Sequence, residues 1–413
     1  MSGGPSTAAQ SSLAGQYQLR PGHAQPIEGT RPIVGADSLS VLLRGLDKPV
    51  ALQRLGHVFT LCGHAHQRAG RLVFDAARAG ARPVATDVTA GLMLLRWETL
   101  RDHLRAMALD WPQRLGKPGE APPLAWLQTC SLPLAGAASA NDHAAGAAIQ
   151  ALKVWLENSV LGMAAEEWLA AHQDADALAQ WCLQYAARHG SGEPTGMSPA
   201  YPVLMLAHWS ERAARLQVHL HGLDVLDDNA AVQQRQMKAL ALAIAAAPGF
   251  VQSPVWHGAA AETGPWTRLR HRRGVLGSAA RSASHSTAWT RLASRWMELV
   301  SLAAAPALPD AAAEQRVVRS GALSLGDGQA VAWCEMARGL LLHWAQLDDA
   351  GRVQHYRVLA PTEWNFHPHG ALATALAGLG ADDTASAQLL AAAFDPCVEC
   401  TILADQYRER AHA

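Results

Sequence analysis

Residues 89–110 read TAGLMLLRWETLRDHLRAMALD, and in this run Leu92, Leu95, Leu100, Leu104 and Met107 fall on one stripe at helical spacing. A half-buried strand would alternate with period two, which this run does not do. The spacing predicts a long amphipathic helix over about 90–110, closed by Trp111-Pro112, because the residue before a proline is pushed out of the helical region. Upstream, RGLDKPVALQRLGHVFTLCGHAHQRAG (44–70) repeats the pattern with Leu52, Leu55, Val58 or Phe59, and Cys62. Downstream, Asn141 and Asp142 are caps for a helix carrying Ile149, Leu152, Trp155, Leu156 and Val160. Residues 174–188 and 203–221 continue the pattern, separated by the Gly- and Pro-dense loop SGEPTGMSPAYP (191–202). After Pro248 the chain turns irregular through Arg273, followed by a helix from about Ser284 to Ala303; a last helix, Thr384 to Phe394, is stopped at Pro396. Only residues 329–360 have another texture: AVAWCEMARG, LLLHWAQLD and RVQHYRVLA lean toward strands, with Asp348-Asp349-Ala350-Gly351 as the turn between the last two. The expected fold is mainly α (α+β), a bundle of long helices with a small antiparallel β element at 329–360. A flexible lead over residues 1–20 is expected to precede one unit over 21–413.

Composition narrows the function classes. The 413 residues carry 34 Lys+Arg against 35 Asp+Glu, a net charge of −1, so no long basic groove for nucleic acid is expected. With 49% hydrophobic and 17% charged residues the chain has ample core, which excludes disorder as its main state. The longest uninterrupted apolar run, Ala239 to Ala247, stops at Pro248 well short of the roughly 20 residues a membrane helix needs, so no membrane insertion is expected. Residues 1–16 lack the basic, apolar and twin-arginine features of export signals, and the expected location is cytoplasmic. Six cysteines (62, 130, 182, 334, 397 and 400) are too sparse for a disulfide framework and read as free thiols or metal ligands.

Five short motifs carry candidate chemistry. DPCVEC (395–400) sets Cys397 and Cys400 at a spacing that suits one metal, a redox pair or neither. Cys62-Gly63-His64-Ala65-His66 gathers a thiol and two imidazoles within five residues. A structural zinc site from Cys62, a histidine, Cys397 and Cys400 competes with a buried cysteine beside hydrogen-bonded histidines. Arg338-Gly339, in EMARGLLLH (335–343), can offer its guanidinium fork to an acceptor-rich ligand or be an ordinary surface arginine. PTEWN (361–365) and HGAAAETGPWTR (257–268) are polar loops set among Gly, Pro and Trp, a composition of loops that line sites. Among weaker candidates, Arg268, Arg270, His271, Arg272 and Arg273 read as a solvated basic loop able to dock an acidic partner. Glu28 reads as a surface carboxylate, His103 as a core or edge histidine, and the 14 tryptophans as core fillers.

Taken in order, CGxxH, EtGPxxR, RGxLxH, PTxWN and the terminal DPCxxC resemble the large subunit of [NiFe] hydrogenases, collinearly over about residues 42–403. The segment ARGLLLHWAQLDDAGRVQHYRVLAPTEWNFHP (337–368) carries the resemblance most specifically. In that family two cysteine pairs hold a nickel-iron centre whose iron bears cyanide and carbon monoxide, the second cysteine of each pair bridging both metals. This chain departs from the pattern twice. Ala65 stands where the first bridging cysteine would be, and Leu403 where a histidine would close a magnesium site and mark a C-terminal cleavage point. Three cysteines cannot build a four-thiolate nickel site.

The pattern with these departures resembles the non-catalytic hydrogenase expression/formation proteins of the HupK/HoxV type. What the resemblance implies is a hydrogenase maturation scaffold without turnover, which transiently holds or helps assemble iron with its cyanide and carbon monoxide ligands; nickel is not expected. Cys62, Cys397 and Cys400 are then the implied metal ligands, with His64 or His66 filling the place of the missing thiolate. Arg338 and Thr362 are implied hydrogen-bond donors to the cyanide nitrogens. Cys400, matching the retained bridging position, is expected to matter more than Cys397 unless Cys397 has been re-used for iron. The implied partners are hydrogenase maturation chaperones and the hydrogenase large subunit precursor. The rival readings are an active nickel-dependent hydrogenase and a zinc-stapled interaction protein. Both cysteine motifs are expected to meet near the bundle centre, with the Cys62 motif accessible to a delivering chaperone.

Overall fold

A computed structural model describes residues 15–34, 37–80, 91–116, 130, 141–189, 201–219, 221–270, 285–306 and 317–404. The chain opens with β1 (Gln16–Leu19) and β2 (Ile27–Thr30), then α1 (Ser38–Leu43), α2 (Lys48–Val58), α3 (Gly63–Ala79), α4 (Leu92–Arg105) and α5 (Trp111–Leu115). Next come α6 (Asp142–Leu156), α7 (Ala165–Ala171), α8 (Ala175–His189), α9 (Tyr201–Arg215), β3 (Gln217–His219), α10 (Ala230–Ala246), α11 (Pro265–Leu269), β4 (His285–Thr287) and α12 (Ala288–Ala304). The last part holds β5 (Ser320–Gly326), β6 (Gln329–Met336), β7 (Gly339–Leu347), β8 (Val353–Leu359), α13 (Pro361–Asn365), α14 (Ala371–Ala377), α15 (Thr384–Phe394) and β9 (Glu399–Ile402). The fold is mainly α with small sheets, as the spacing predicts. No helix among the described residues is long and apolar enough to cross a membrane.

Helix α12 is the hub, with nearly all its residues buried, among them Arg291, Arg295 and Glu298. A helix covered on all sides must pair its charges internally. Arg96 on α4 donates to the carbonyls of Leu302 and Ala305 at the C-terminal end of α12, locking the two helices together. The run at 44–70 is two helices rather than one, broken at Phe59–Cys62, where the second cysteine motif sits. The helix at 92–105 also runs past Trp111-Pro112. A π turn at Ala106–Asp110 precedes α5, and this wider turn accommodates a proline that cannot join a regular helical ladder.

The β element exceeds the expected hairpin. Strands β5-β6-β7-β8 form an antiparallel meander over Ser320–Leu359. Ala330, Ala332, Cys334 and Met336 face α3 and the main core, while Val331 and Trp333 face a second apolar cluster with Met237, Leu240 and Ile244 of α10. Cover on both faces explains why β6 and β7 are buried along almost their whole length. The expected flexible lead needs a correction as well. Gln16–Leu19, inside the 1–20 segment, is the middle strand of a sheet ordered β2-β1-β9, antiparallel to β2 and parallel to β9, because Tyr17 and Leu19 bury their side chains.

Candidate functional site

Cys62 is the residue just before α3, in the short turn that follows α2. Cys397 lies after α15, where Asp395 takes the left-handed conformation (φ 50°) that ends the helix and turns the chain toward β9. Arg338 tops the two-residue turn between β6 and β7. Gly339 there has φ 136°, and a Cβ at that position would lie 2.5 Å from the Thr263 side chain. The glycine therefore lets three loops interlock: Leu340 N–H donates to Thr263 Oγ1 (2.9 Å), Thr263 N–H donates to Asn365 Oδ1 (3.0 Å), and Asn365 Nδ2 reaches the Arg338 carbonyl (3.4 Å). Three of the sequence motifs thus meet at Arg338.

The site itself is buried and charged. Thr362 Oγ1 lies 3.0 Å from Cys397 Sγ in hydrogen-bonding geometry. Arg338 is buried between two carboxylates, its Nη1 3.4 Å from Asp102 Oδ2 and its Nε 3.2 Å from Asp395 Oδ2. Its Nε and Nη2 nevertheless have no hydrogen-bond acceptor. Burial works against the charge on the Arg338 guanidinium, but the carboxylates of Asp395 and Asp102 more than offset it and hold the group firmly protonated. Arg31 grips both oxygens of Glu363 (2.8 and 3.1 Å) and leaves its own Nε buried without a partner. Burial, then the charges of Glu98, Asp102 and Cys397, push the Cys62 thiol well above its ordinary value, with Arg338 pulling the other way.

The structure therefore sets Thr362 against Cys397 and Arg338 between Asp102 and Asp395, keeps Cys62 within electrostatic reach of Asp102, Cys397 and Arg338, and spreads the other predicted residues around them. Cys400 lies half-buried on β9 opposite Tyr17, its carbonyl bonded by Arg114 and its thiol pushed up to about 11, chiefly by burial. His64 is half-buried with its ring edge against Trp97, and its Nε2 has no partner. His66 points elsewhere. Its ring stacks on Phe59 with centroids 3.6 Å apart, and its Nδ1 meets His343 Nε2 at 3.0 Å. His343 Nδ1 in turn meets the Tyr356 hydroxyl at 2.6 Å. The Cys62 motif, expected to be accessible, is so only in part: Gly63 and His64 are half-buried, while Cys62 is 8% exposed and Ala65 and His66 are buried. Among the described residues no group of three or more His, Cys, Asp or Glu side chains is arranged to hold a metal ion.

Several residues that shape the pocket were not singled out from sequence. Glu98 and Asp102, one helical turn apart on α4, face it, and burial followed by the Asp102 charge pushes the Glu98 carboxyl up to about 8. Behind Arg338 a buried chain of charges continues from Asp395 to Arg295 (3.0 Å), on to His103 (3.1 Å), to Glu298 (2.9 Å) and to Arg268. His103 is thus a core histidine, as expected, lowered to about 4 mainly by burial. Arg268 and Arg270 are buried in ion pairs with Glu298 and Asp224 rather than solvated, which corrects the reading of that basic run; residues 271–273 lie outside the described residues. Glu28 is a half-exposed partner of Arg20 at the surface.

Comparison with known proteins adds the following. A profile described as nickel-dependent hydrogenase matches residues 271–403. The chain is 34% identical to the hydrogenase expression/formation protein HoxV of Cupriavidus necator, over 97% of this chain and 98% of that one. It is 28% identical to the hydrogenase expression/formation protein HupK of Rhizobium leguminosarum bv. viciae over 83% of each chain. Among solved structures, a chain of an NAD+-reducing [NiFe]-hydrogenase in the H2-reduced state aligns over 90% of this chain and 92% of its own, with a TM-score of 0.43 and 14% identity.

Proposed function

Since the chain belongs to the family of hydrogenase expression/formation proteins of the HoxV and HupK type, we propose that it serves hydrogenase maturation as a scaffold that holds iron with its cyanide and carbon monoxide ligands before transfer. The observation that carries this reading is the pairing of buried thiols with donors that lack acceptors: Cys62 and Cys397 beside Arg338 Nε and Nη2. Low-spin iron with strong-field diatomic ligands suits thiolate donors. Cyanide nitrogens are charged acceptors, and an arginine fork held between Asp102 and Asp395 is pre-oriented to meet them. The Thr362 hydroxyl, already at Cys397 Sγ, orients that sulfur.

In this reading Cys397 has been re-used for iron together with Cys62. Loading releases the Cys62 proton, because the thiol is held neutral until a metal takes its place, so iron uptake strengthens as pH rises. Ala65 and Leu403 disfavour a turning-over nickel enzyme, so the protein is proposed to be non-catalytic, to receive its cargo from maturation chaperones and to pass it to the hydrogenase large subunit precursor in the cytoplasm.

The test is infrared spectroscopy with metal analysis on protein purified from cells making the maturation proteins. Iron with cyanide and carbonyl bands is the expected result. Stoichiometric nickel with hydrogen uptake would replace the proposal with a catalytic one, and zinc without those bands would leave a structural interaction protein. Within the proposal, Cys62→Ala and Cys397→Ala each abolish the bands while circular dichroism stays unchanged, and retained bands in both variants overturn the assignment of these sulfurs.

A further inference from the structure

Cys62 stands where an N-cap residue stands, yet its thiol caps nothing. The amide hydrogens that an N-cap side chain ordinarily accepts belong to the second and third residues of the helix, here His64 and Ala65. Both are taken from outside. Glu98 of α4 accepts His64 N–H at Oε1 (2.9 Å) and Ala65 N–H at Oε2 (2.8 Å). One turn further along α4, Arg101 donates to the Leu61 carbonyl and pairs with Asp102. A single turn of one helix therefore grips the chain on both sides of Cys62, and the backbone groups that would hold the thiol down are already satisfied.

We infer that Glu98 is a borrowed cap, a positioning residue that relieves Cys62 of capping α3 and leaves its sulfur free for the pocket. The inference rests on the scaffold reading only for what the freed sulfur then does. A cap supplied by the adjacent residue would be simpler, and serine, threonine, asparagine and aspartate do that work well. Cysteine does it poorly, so a chain that needs a thiol at this turn has to find its acceptor elsewhere. A carboxyl group with two oxygens, reaching across from a neighbouring helix, meets both amides at once. Glu98 is itself buried, so the amides it holds have no water to fall back on.

A cycle of thermal melts on the apo protein tests the inference without reference to any cargo. Glu98→Ala is expected to lower the Tm by leaving the two amides bare. Cys62→Asn, which supplies an ordinary cap, is expected to raise the Tm in the Glu98→Ala background and to lower it in the wild type, where the amides are already occupied. Cys62→Leu, equal in size but without an acceptor, is expected to rescue neither. Additive effects, or equal rescue by leucine, overturn the borrowed cap. Should Glu98→Ala fail to fold, Glu98→Gln, which keeps one acceptor oxygen and turns an N–H toward the other amide, runs the same cycle with the same outcomes. Infrared bands give the second readout: Glu98→Ala is expected to lose the iron-bound cyanide signal because the thiol turns back to the amides. A wild type that carries no such signal while the melting cycle still shows asparagine-specific rescue defeats the scaffold reading and leaves the cap standing.

Discussion

Cys62 and His66 lie one helical turn apart at the start of α3, and burial acts on them in opposite ways. Around Cys62 the buried groups are charged and incompletely matched, with Arg338 Nε and Nη2, Arg31 Nε and His64 Nε2 all lacking hydrogen-bond partners. The hydrogen-bond partners of His66 are instead neutral and matched, although the Arg31 charge also reaches its ring: imidazole, imidazole and phenol hand on one chain of hydrogen bonds from His66 through His343 to Tyr356. Ser40 closes the far end by bonding both the N–H and the carbonyl of Tyr356. A buried polar chain whose members satisfy one another stabilises a fold, whereas buried donors with nothing to bind leave room for a guest. The difference separates the part of the molecule that holds itself from the part suited to hold something else.

The largest effect expected falls on the pocket. Arg338→Ala strips the countercharge from Asp102 and Asp395 and should cost about 3–5 kcal/mol in urea unfolding, as breaking a buried pair does. If Arg338→Ala were as stable as wild type, the pocket would be less charged than drawn here and the contrast with the histidine chain would fail.

On the other side, Tyr356→Phe leaves His343 Nδ1 buried and unmatched and should cost about 1–3 kcal/mol. The same variant should leave the iron-bound cyanide bands untouched, and a change in those bands would join the two regions the contrast separates. The histidine chain also predicts a pH dependence. Burial holds His343 down at about 3 and His66 well below its ordinary value, so both stay neutral in the fold while the unfolded chain protonates near about 6.5. Between those limits the unfolded state binds more protons, so this contribution is complete above about 6.5 and is lost as pH falls toward about 3. Melts of wild type and His343→Gln across that window should show a shallower slope for the variant, and parallel slopes would assign the acid sensitivity elsewhere.

The smallest effect on the fold comes from Thr362→Val, which removes one hydroxyl beside Cys397 and should cost about 1 kcal/mol or less. Its effect on cargo should be out of proportion, with less iron retained and shifted cyanide bands. Thr362 and Tyr356 thus make a matched pair, each losing one oxygen, expected to divide cleanly between cargo and stability.

Much of this was legible in the sequence. The stripe at 92–107 marks α4, Thr384 to Phe394 is α15, and Asn141 caps α6 as its type suggests. Strand β5 was not, because SGALSLG contains no β-branched or aromatic residue; Gly321 there leaves room for the Trp333 ring of the neighbouring strand. In the site, the motifs around Cys62, Arg338, Thr362 and Cys397 converge as their order implies. Glu98 and Asp102 escaped notice because charges spaced by four on an amphipathic helix look like a solvated face until another helix covers them. His66 was singled out, but as a metal ligand: nothing in its neighbours reveals that a histidine 277 positions further on waits for its ring.

The parallel pairing of β1 with β9 sets Tyr17 opposite Cys400, so the cysteine motif near one end of the chain is stitched to a strand near the other. Parallel strands so far apart in sequence can join only after nearly everything between them has been made, and the entropy of closing so large a loop must be met before the pairing returns anything. On a ribosome, Cys62 and its helix would emerge long before Cys397. The order of synthesis therefore acts as a timer: no chain that stops short of Cys397 has both thiols in place, and whatever needs the two together has to wait for that residue.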